Sequence, residues 1–374
     1  MPTRSADIST TREVLINGRF LVQRATGVQR VSREFTLAAD RLLAEGRFPG
    51  LRLRLVAPEG ADFASLGLRR IATEHLKGGS GYRWEQIALA RRSGTGPLIS
   101  LGNAAPMASL MASRHVAVMI HDQSYRLYPA DYSRAYRLVH AVMDRVILAR
   151  ARPLFTVSAT EADTIRSDNT GLRQPIIVAP NGSWIEDASP EAPGARPVRG
   201  FGLSIGGFAD RKNFRGAFAA AMALAAQGLH FRFVGLPSAE AEAMLAQAGD
   251  IARAHIHYLG YVANDALVEL YRQAAFLLYP SFYEASGLPP SEAMTFGCPV
   301  VVSDLPVMRE RCGDAALYCD PHDVGSIVAA ARRMIDDPLL AADLAVRGHA
   351  RASQFTWRRQ AEIILTAVTR QLEN

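Results

Sequence analysis

Short apolar runs alternate with longer amphipathic stretches along most of the 374-residue chain. Residues 14–16 (VLI), 51–57 (LRLRLVA), 97–101 (PLISL), 115–120 (HVAVMI), 153–158 (PLFTVS) and 175–180 read as strands bounded by turn signals. After a break, 201–205, 230–235 (HFRFVG), 256–262 (IHYLGYV), 274–281 (AAFLLYPS), 300–303 and 317–320 read the same way. Helical spacing fills the gaps: from the Thr26-Gly27 loop through Leu43, then 82–92, 132–150, a helix capped by Ser158, 214–227, 240–248, 266–275 behind the caps Asn264 and Asp265, from Pro290, from Asp323, and 357 to about Leu372. In 132–150, Tyr136, Val139, Val142, Met143 and Val146 recur at helical spacing and predict a core-facing stripe. The rhythm is that of doubly wound parallel α/β sheets. Residues 186–200 (EDASPEAPGARPVRG) show no periodicity and predict a linker, dividing the chain into two Rossmann-like domains, 1–190 and 191–357, followed by a C-terminal helix over 358–374.

Composition narrows the function classes. Three cysteines without metal-ligand spacing suit reduced thiols in a cytosolic protein, and nine scattered histidines suggest no metal centre. The N-terminus lacks the apolar segment of a signal peptide, and no run reaches the ~18 apolar residues of a membrane span. Residues 1–190 hold 25 Lys/Arg against 17 Asp/Glu, and residues 191–374 hold 17 against 19. The first half lacks the clustered basic runs of a nucleic-acid surface, so no nucleic-acid partner is expected. A membrane surface or a pyrophosphate-bearing acceptor suits its charge, a plain solvated face being the alternative. Only two basic residues are lysines, Lys77 and Lys212. In so Arg-rich a chain, a Lys marks a place where a compact point charge is wanted.

The candidate chemistry gathers where predicted strands end. After 274–281 comes a Gly-containing loop and then Pro289-Pro290, residues tolerated in a helix's first turn. The N–H groups of Ser286, Gly287 and Leu288 there form an anion site at a helix N-terminus, bracketed by Glu284 and Glu292. The loop Gly206-Gly207-Phe208-Ala209-Asp210-Arg211-Lys212-Asn213 combines backbone access with two adjacent cations and suits a diphosphate. His121 and Asp122 follow the 115–120 strand, and Asn103 follows 97–101, both positions where open α/β sheets bind ligands. The first strand runs into Asn17-Gly18-Arg19-Phe20 and then Thr26-Gly27. No G-x-G-x-x-G fingerprint and no Asp-x-Asp occurs.

Tyr283-Glu284, Gly287-Leu288-Pro289-Pro290, Glu292-Ala293-Met294, Gly297, Pro299-Val300-Val301 and Asp304 resemble the E-x7-E region of retaining glycosyltransferases of family 4 (group 1). His121-Asp122 with Pro129, and Gly206 to Asn213, resemble the same family, departing from its pattern at Ala285 and Ser286. The resemblance implies the GT-B fold, two Rossmann-like domains facing across a cleft with the last helix crossing back to the first, and a nucleotide-sugar donor without cofactor or metal. It implies that Glu284 faces the donor sugar, Glu292 holds the ribose, Arg211 and Lys212 bind the diphosphate, Val262 packs on the base, Gly27 lines the cleft and His121 approaches the sugar. Arg19, Asn103 and Asp122 fall on the acceptor side. The N-terminal pattern looks like transferases of bacterial surface polysaccharide, lipopolysaccharide included, many of which use GDP-mannose. This implies a glycan or lipid-linked acceptor, with the enzyme cytoplasmic or peripheral on the inner face of the inner membrane. A sugar-nucleotide epimerase, a phosphorylase and a non-catalytic nucleotide-sugar-binding scaffold are the alternatives.

Overall fold

The computed structural model describes residues 12–24, 26–183, 200–206, 210–235 and 239–373. Apart from Gly200, the linker expected at 186–200 lies outside the described residues for all but its last position, as do Gly207 and residues 1–11. The strands are β1 (Arg12–Asn17), β2 (Leu51–Pro58), β3 (Ala72–Leu76), β4 (Leu98–Ser100), β5 (Val116–Ile120), β6 (Leu154–Thr156), β7 (Ile176–Val178), β8 (Gly202–Ile205), β9 (Phe231–Val234), β10 (Ile256–Tyr258), β11 (Phe276–Tyr279), β12 (Val300–Ser303) and β13 (Ala316–Cys319). They form two all-parallel sheets, ordered β3-β2-β1-β4-β5-β6-β7 and β10-β9-β8-β11-β12-β13. Central strands such as β5 (VAVMI) and β12 (VVVS) are buried along their whole length, because helices cover both faces. The sequence reading missed β3, an edge strand whose residues ATEHL are exposed or half-buried and carry no apolar run.

In both sheets the winding reverses between the first strand and the fourth: β1 lies beside β4, and β8 beside β11. At such a switch point the loops leaving the two strands run to opposite faces and open a crevice. The four loops concerned follow Asn17, Ser100, Ile205 and Tyr279.

Several element boundaries differ from those read in the sequence. The helix expected from Pro290 begins at Leu288, with both prolines in its first turn. Asn264 and Asp265 lie inside the Asn264–Gln273 helix, whose N-cap is Ala263. Ser158 caps its helix as expected, accepting from Glu161 N at 3.0 Å. The helix expected over 132–150 spans Arg134–Arg150, and of its predicted core stripe only Met143 is buried. Val146 is half-buried, and Tyr136, Val139 and Val142 are exposed at 37%, 47% and 44%.

The helix Trp357–Glu373 crosses back to the first domain. Its Trp357, Ile364, Leu365 and Val368 join Val14, Ile16, Phe35 and Leu42 in one core, and Arg358 makes two 2.7 Å hydrogen bonds to Glu45. The Trp357 indole lies so close to Gly182 that a Cβ there would come within 2.5 Å of it. Trp357→Ala is therefore expected to destabilise the first domain by about 3–5 kcal/mol, read as an earlier denaturant transition of that domain.

Candidate active site

The loops after β8 and β11 bring the central cluster together. Gly206 adopts φ +138°, and a Cβ there would meet Tyr279 at 3.4 Å and Lys212 at 3.6 Å, so the backbone passes close over both side chains. Lys212 Nζ donates to Tyr279 OH at 2.9 Å and is ion-paired with Glu284, while Tyr279 OH donates to Glu284 Oε1 at 2.7 Å. One carboxylate oxygen thus receives a cation and a phenol together, which fixes the direction Glu284 points. Asn213, at φ +50°, holds the basic loop in place: its amide donates to the carbonyls of Pro280 (2.9 Å) and Pro321 (2.7 Å) while its Oδ1 caps the Phe214–Ala225 helix. Burial opposes the charge on Arg211, but the Glu284 and Asp122 carboxylates overcome it and raise its pKa above the ordinary value.

Ser286, Gly287 and Leu288 line the cleft at a helix start with no side-chain cap. Gly287 sits at φ +63° with Met308 Sδ 3.3 Å from any added Cβ, so only glycine fits without strain. The residues at the family departure take up contacts with the opposite domain. Ala285 O accepts from Ser158 Oγ at 2.8 Å, and Ser286 Oγ accepts from Asn181 Nδ2 at 2.9 Å.

The first domain supplies the other wall. His121 is buried, its backbone N–H donating to Asn103 Oδ1 at 2.6 Å and its Nε2 lying 2.6 Å from the Leu101 carbonyl. A carbonyl only accepts, so Nε2 carries the proton. Burial lowers the ring's pKa despite the Leu101 carbonyl and Asp122, so the imidazole is neutral and Nδ1 is an acceptor. Asp122 Oδ1 accepts from Ser124 N and Oγ, orienting the loop beyond. Together these elements enclose a cleft of about 1020 Å³ lined by Gly27, Arg30, His121, Asp122, Gly206, Arg211, Lys212, Val262, Glu284, Ser286, Gly287, Leu288 and Glu292, among others.

Two sequence-predicted residues stand apart from that lining. Asn103 lies behind His121 and positions it. Arg19 is buried against Glu85 (Nε to Oε2 3.1 Å) and over the Tyr82 ring at 4.2 Å. Glu292 is placed differently from a carboxylate free to take a ribose: Arg30 of the first domain is ion-paired with one oxygen, and Tyr271 OH donates to the other at 3.0 Å. Tyr279, Arg30 and the pair Glu161–Tyr283 were missed in the sequence. Tyr279 carries the only usable signal, a hydroxyl at the last position of a buried strand.

Glu161 and Tyr283 join the domains beside the cluster, the Tyr283 hydroxyl donating to Glu161 Oε2 at 3.0 Å. Burial pushes the Glu161 carboxyl up to about 7, against the lowering effect of Tyr283 and the Gln123 backbone. An unfolded Glu ionises near ~4.3, so the folded state favours the protonated acid and stability falls as pH rises from there to about 7. Glu161→Gln, neutral throughout, is expected to be more stable at pH 8 by up to about 3 kcal/mol, read as a higher melting temperature, and to lose that advantage by pH 4.5. Thermal melts of both forms across this range read the difference.

Residues 185–351 match the sequence model of the family described as "Glycosyl transferases group 1". Among curated relatives, the chain is 45% identical over 102 residues to O-antigen chain mannosyltransferase B of Escherichia coli, a match covering 27% of each chain. It spans about a quarter of that relative's length. Sucrose-phosphate synthase from Thermosynechococcus elongatus superposes with a TM-score of 0.74 at 17% identity, over 97% of this chain and 99% of the other. Anabaena HepE, solved in complex with UDP and glucose, superposes with a TM-score of 0.67 at 17% identity, over 97% and 98%. The chain therefore has the GT-B fold, and its residues 185–351 are similar to the glycosyltransferase group 1 model.

Proposed function

We propose that the protein is a retaining glycosyltransferase that moves a hexose from a nucleotide-sugar donor to a glycan or lipid-linked acceptor in bacterial surface polysaccharide synthesis, with GDP-mannose as donor. The observation that carries the reading is the Lys212–Tyr279–Glu284 cluster at the second domain's switch point, facing His121 across the cleft. The partial similarity to an O-antigen mannosyltransferase favours mannose and a polysaccharide acceptor.

In this reading the diphosphate lies against Arg211, Lys212 and the uncapped helix start at Gly287-Leu288. Fixed cations and N–H groups stabilise the negative charge that develops as the bond between C1 and the phosphate oxygen breaks. The departing diphosphate keeps the electron pair and takes the acceptor hydroxyl's proton, while that hydroxyl's oxygen bonds C1 from the same face. Glu284, aimed by Lys212 and Tyr279, positions the sugar, and the neutral His121 accepts a hydrogen bond from a sugar hydroxyl at Nδ1. Glu292 binds the ribose once the donor competes with Arg30 for its carboxylate. Arg211 and Lys212 carry the charge stabilisation, so no divalent metal is required.

Titrating the protein with GDP-, UDP- and dTDP-sugars while following thermal stability tests the reading. GDP-mannose is expected to stabilise by about 2.7 kcal/mol at a hundredfold excess over its Kd, with or without EDTA. Lys212→Ala is expected to abolish the shift and to lower turnover by roughly 10²–10³. No shift with any of the three would sink the transferase, and an EDTA-sensitive shift would sink its metal-free form.

A further inference from the structure

Large apolar side chains that face water on a folded domain need a reason when they cluster. On the Arg134–Arg150 helix, Leu138, Val139 and Val142 are exposed at 68%, 47% and 44%, and on the Met107–Ala112 helix packed against it Met111 is exposed at 59% and Met107 at 36%. Periodicity assigned Val139 and Val142 to a core, yet no element among the described residues covers them.

Charge singles out the same region. Between Glu85 and Glu161 the chain has no Glu or Lys, nine Arg and three Asp, of which Arg92 pairs with Glu74 and Arg126 lies 3.8 Å from Asp168. The three carboxylates are also engaged. Asp144, the one acid on the helix, is buried and accepts from Gln123 (2.8 Å) and Tyr125 (2.7 Å), Asp122 accepts from Ser124, and Asp131 lies 3.9 Å from Arg211. Arg134, Arg137 and Arg145 are exposed beside Leu138 and Val142, with no ion pair to any described residue.

We propose that this paired-helix face is a docking surface for an anionic lipid bilayer. Apolar side chains entering the headgroup boundary, flanked by cations that meet phosphate, are the composition of a helix lying in a membrane plane. No helix among the described residues is long and apolar enough to cross a membrane, so attachment is peripheral. The helix starts beside the cleft: Tyr132 OH bonds Ser124 Oγ at 2.6 Å, and Ser124 holds Asp122 in the cleft wall. A bilayer on this face would bring the cleft mouth to the surface where a lipid-linked acceptor resides, which deepens the proposed transfer and rests on it for its purpose.

The test sediments the full chain with phosphatidylglycerol-containing vesicles and with pure phosphatidylcholine vesicles, at low and high salt. Binding to the anionic vesicles alone, weakened by salt, is expected. Arg134→Glu with Arg137→Glu and Arg145→Glu should lower the partition at least about a hundredfold, at roughly fivefold per arginine. Leu138→Glu with Val142→Glu should lower it at least about tenfold. Both variants should keep the wild-type melting temperature and nucleotide-sugar shift, since neither touches the cleft. Wild-type protein that stays in the supernatant overturns the proposal, as do variants that bind like wild type. Self-association without vesicles that the same substitutions abolish also overturns it, making the face a contact between copies. Vesicle binding without any nucleotide-sugar shift would remove the transferase reading and leave the surface standing.

Discussion

A parallel sheet that reverses its winding direction must send two neighbouring loops to opposite faces, and much of the chemistry in this protein follows from doing so twice. The exits of β1 and β5 line one wall of the cleft and those of β8 and β11 the other. The sheets themselves only hold the four loops still: their strands are short, fully buried at the centre and free of functional side chains until the last position. Tyr279 shows the transition, since its ring is packed in the second domain's core while its hydroxyl already belongs to the cluster around Glu284.

Several polar contacts tie the two walls together. Glu310 accepts from the N–H groups of Ala159 and Thr160 at 2.7 and 2.9 Å, at the start of the Ala159–Asp168 helix. Arg311, buried, donates to the carbonyls of Asn181 (2.9 Å) and Gly182 (3.3 Å). Burial brings its pKa down to about 10, still leaving a charged group at neutral pH. Arg30–Glu292 and Tyr283–Glu161 complete the set nearer the cleft. Directional bonds of this kind fix one relative placement of the domains, whereas an apolar interface of similar extent would tolerate sliding.

The sheets, their parallel sense and most of the cleft were legible in the sequence because each signal was local. A strand followed by glycines or charges marks a ligand-facing loop within about ten residues, which is how His121, Lys212 and Glu284 could be named. What escaped depends on partners far along the chain. Arg30 meets Glu292 across 262 positions, and Glu161 meets Tyr283 across 122. Arg19 had the right loop, yet its guanidinium turns back onto Glu85 because a buried carboxylate needs a cation. Periodicity showed that Tyr136, Val139 and Val142 share a face; it has no means of showing what lies opposite that face.

The helix over 357–373 also sets an order of events during synthesis. The first domain's core includes Trp357, Ala361, Ile364, Leu365 and Val368, so its hydrophobic surface stays open on the ribosome until the whole second domain has been made. At typical elongation rates that interval is roughly 10 to 40 seconds. The second domain can close on itself first, and the earliest-made half of the protein is the last to finish folding.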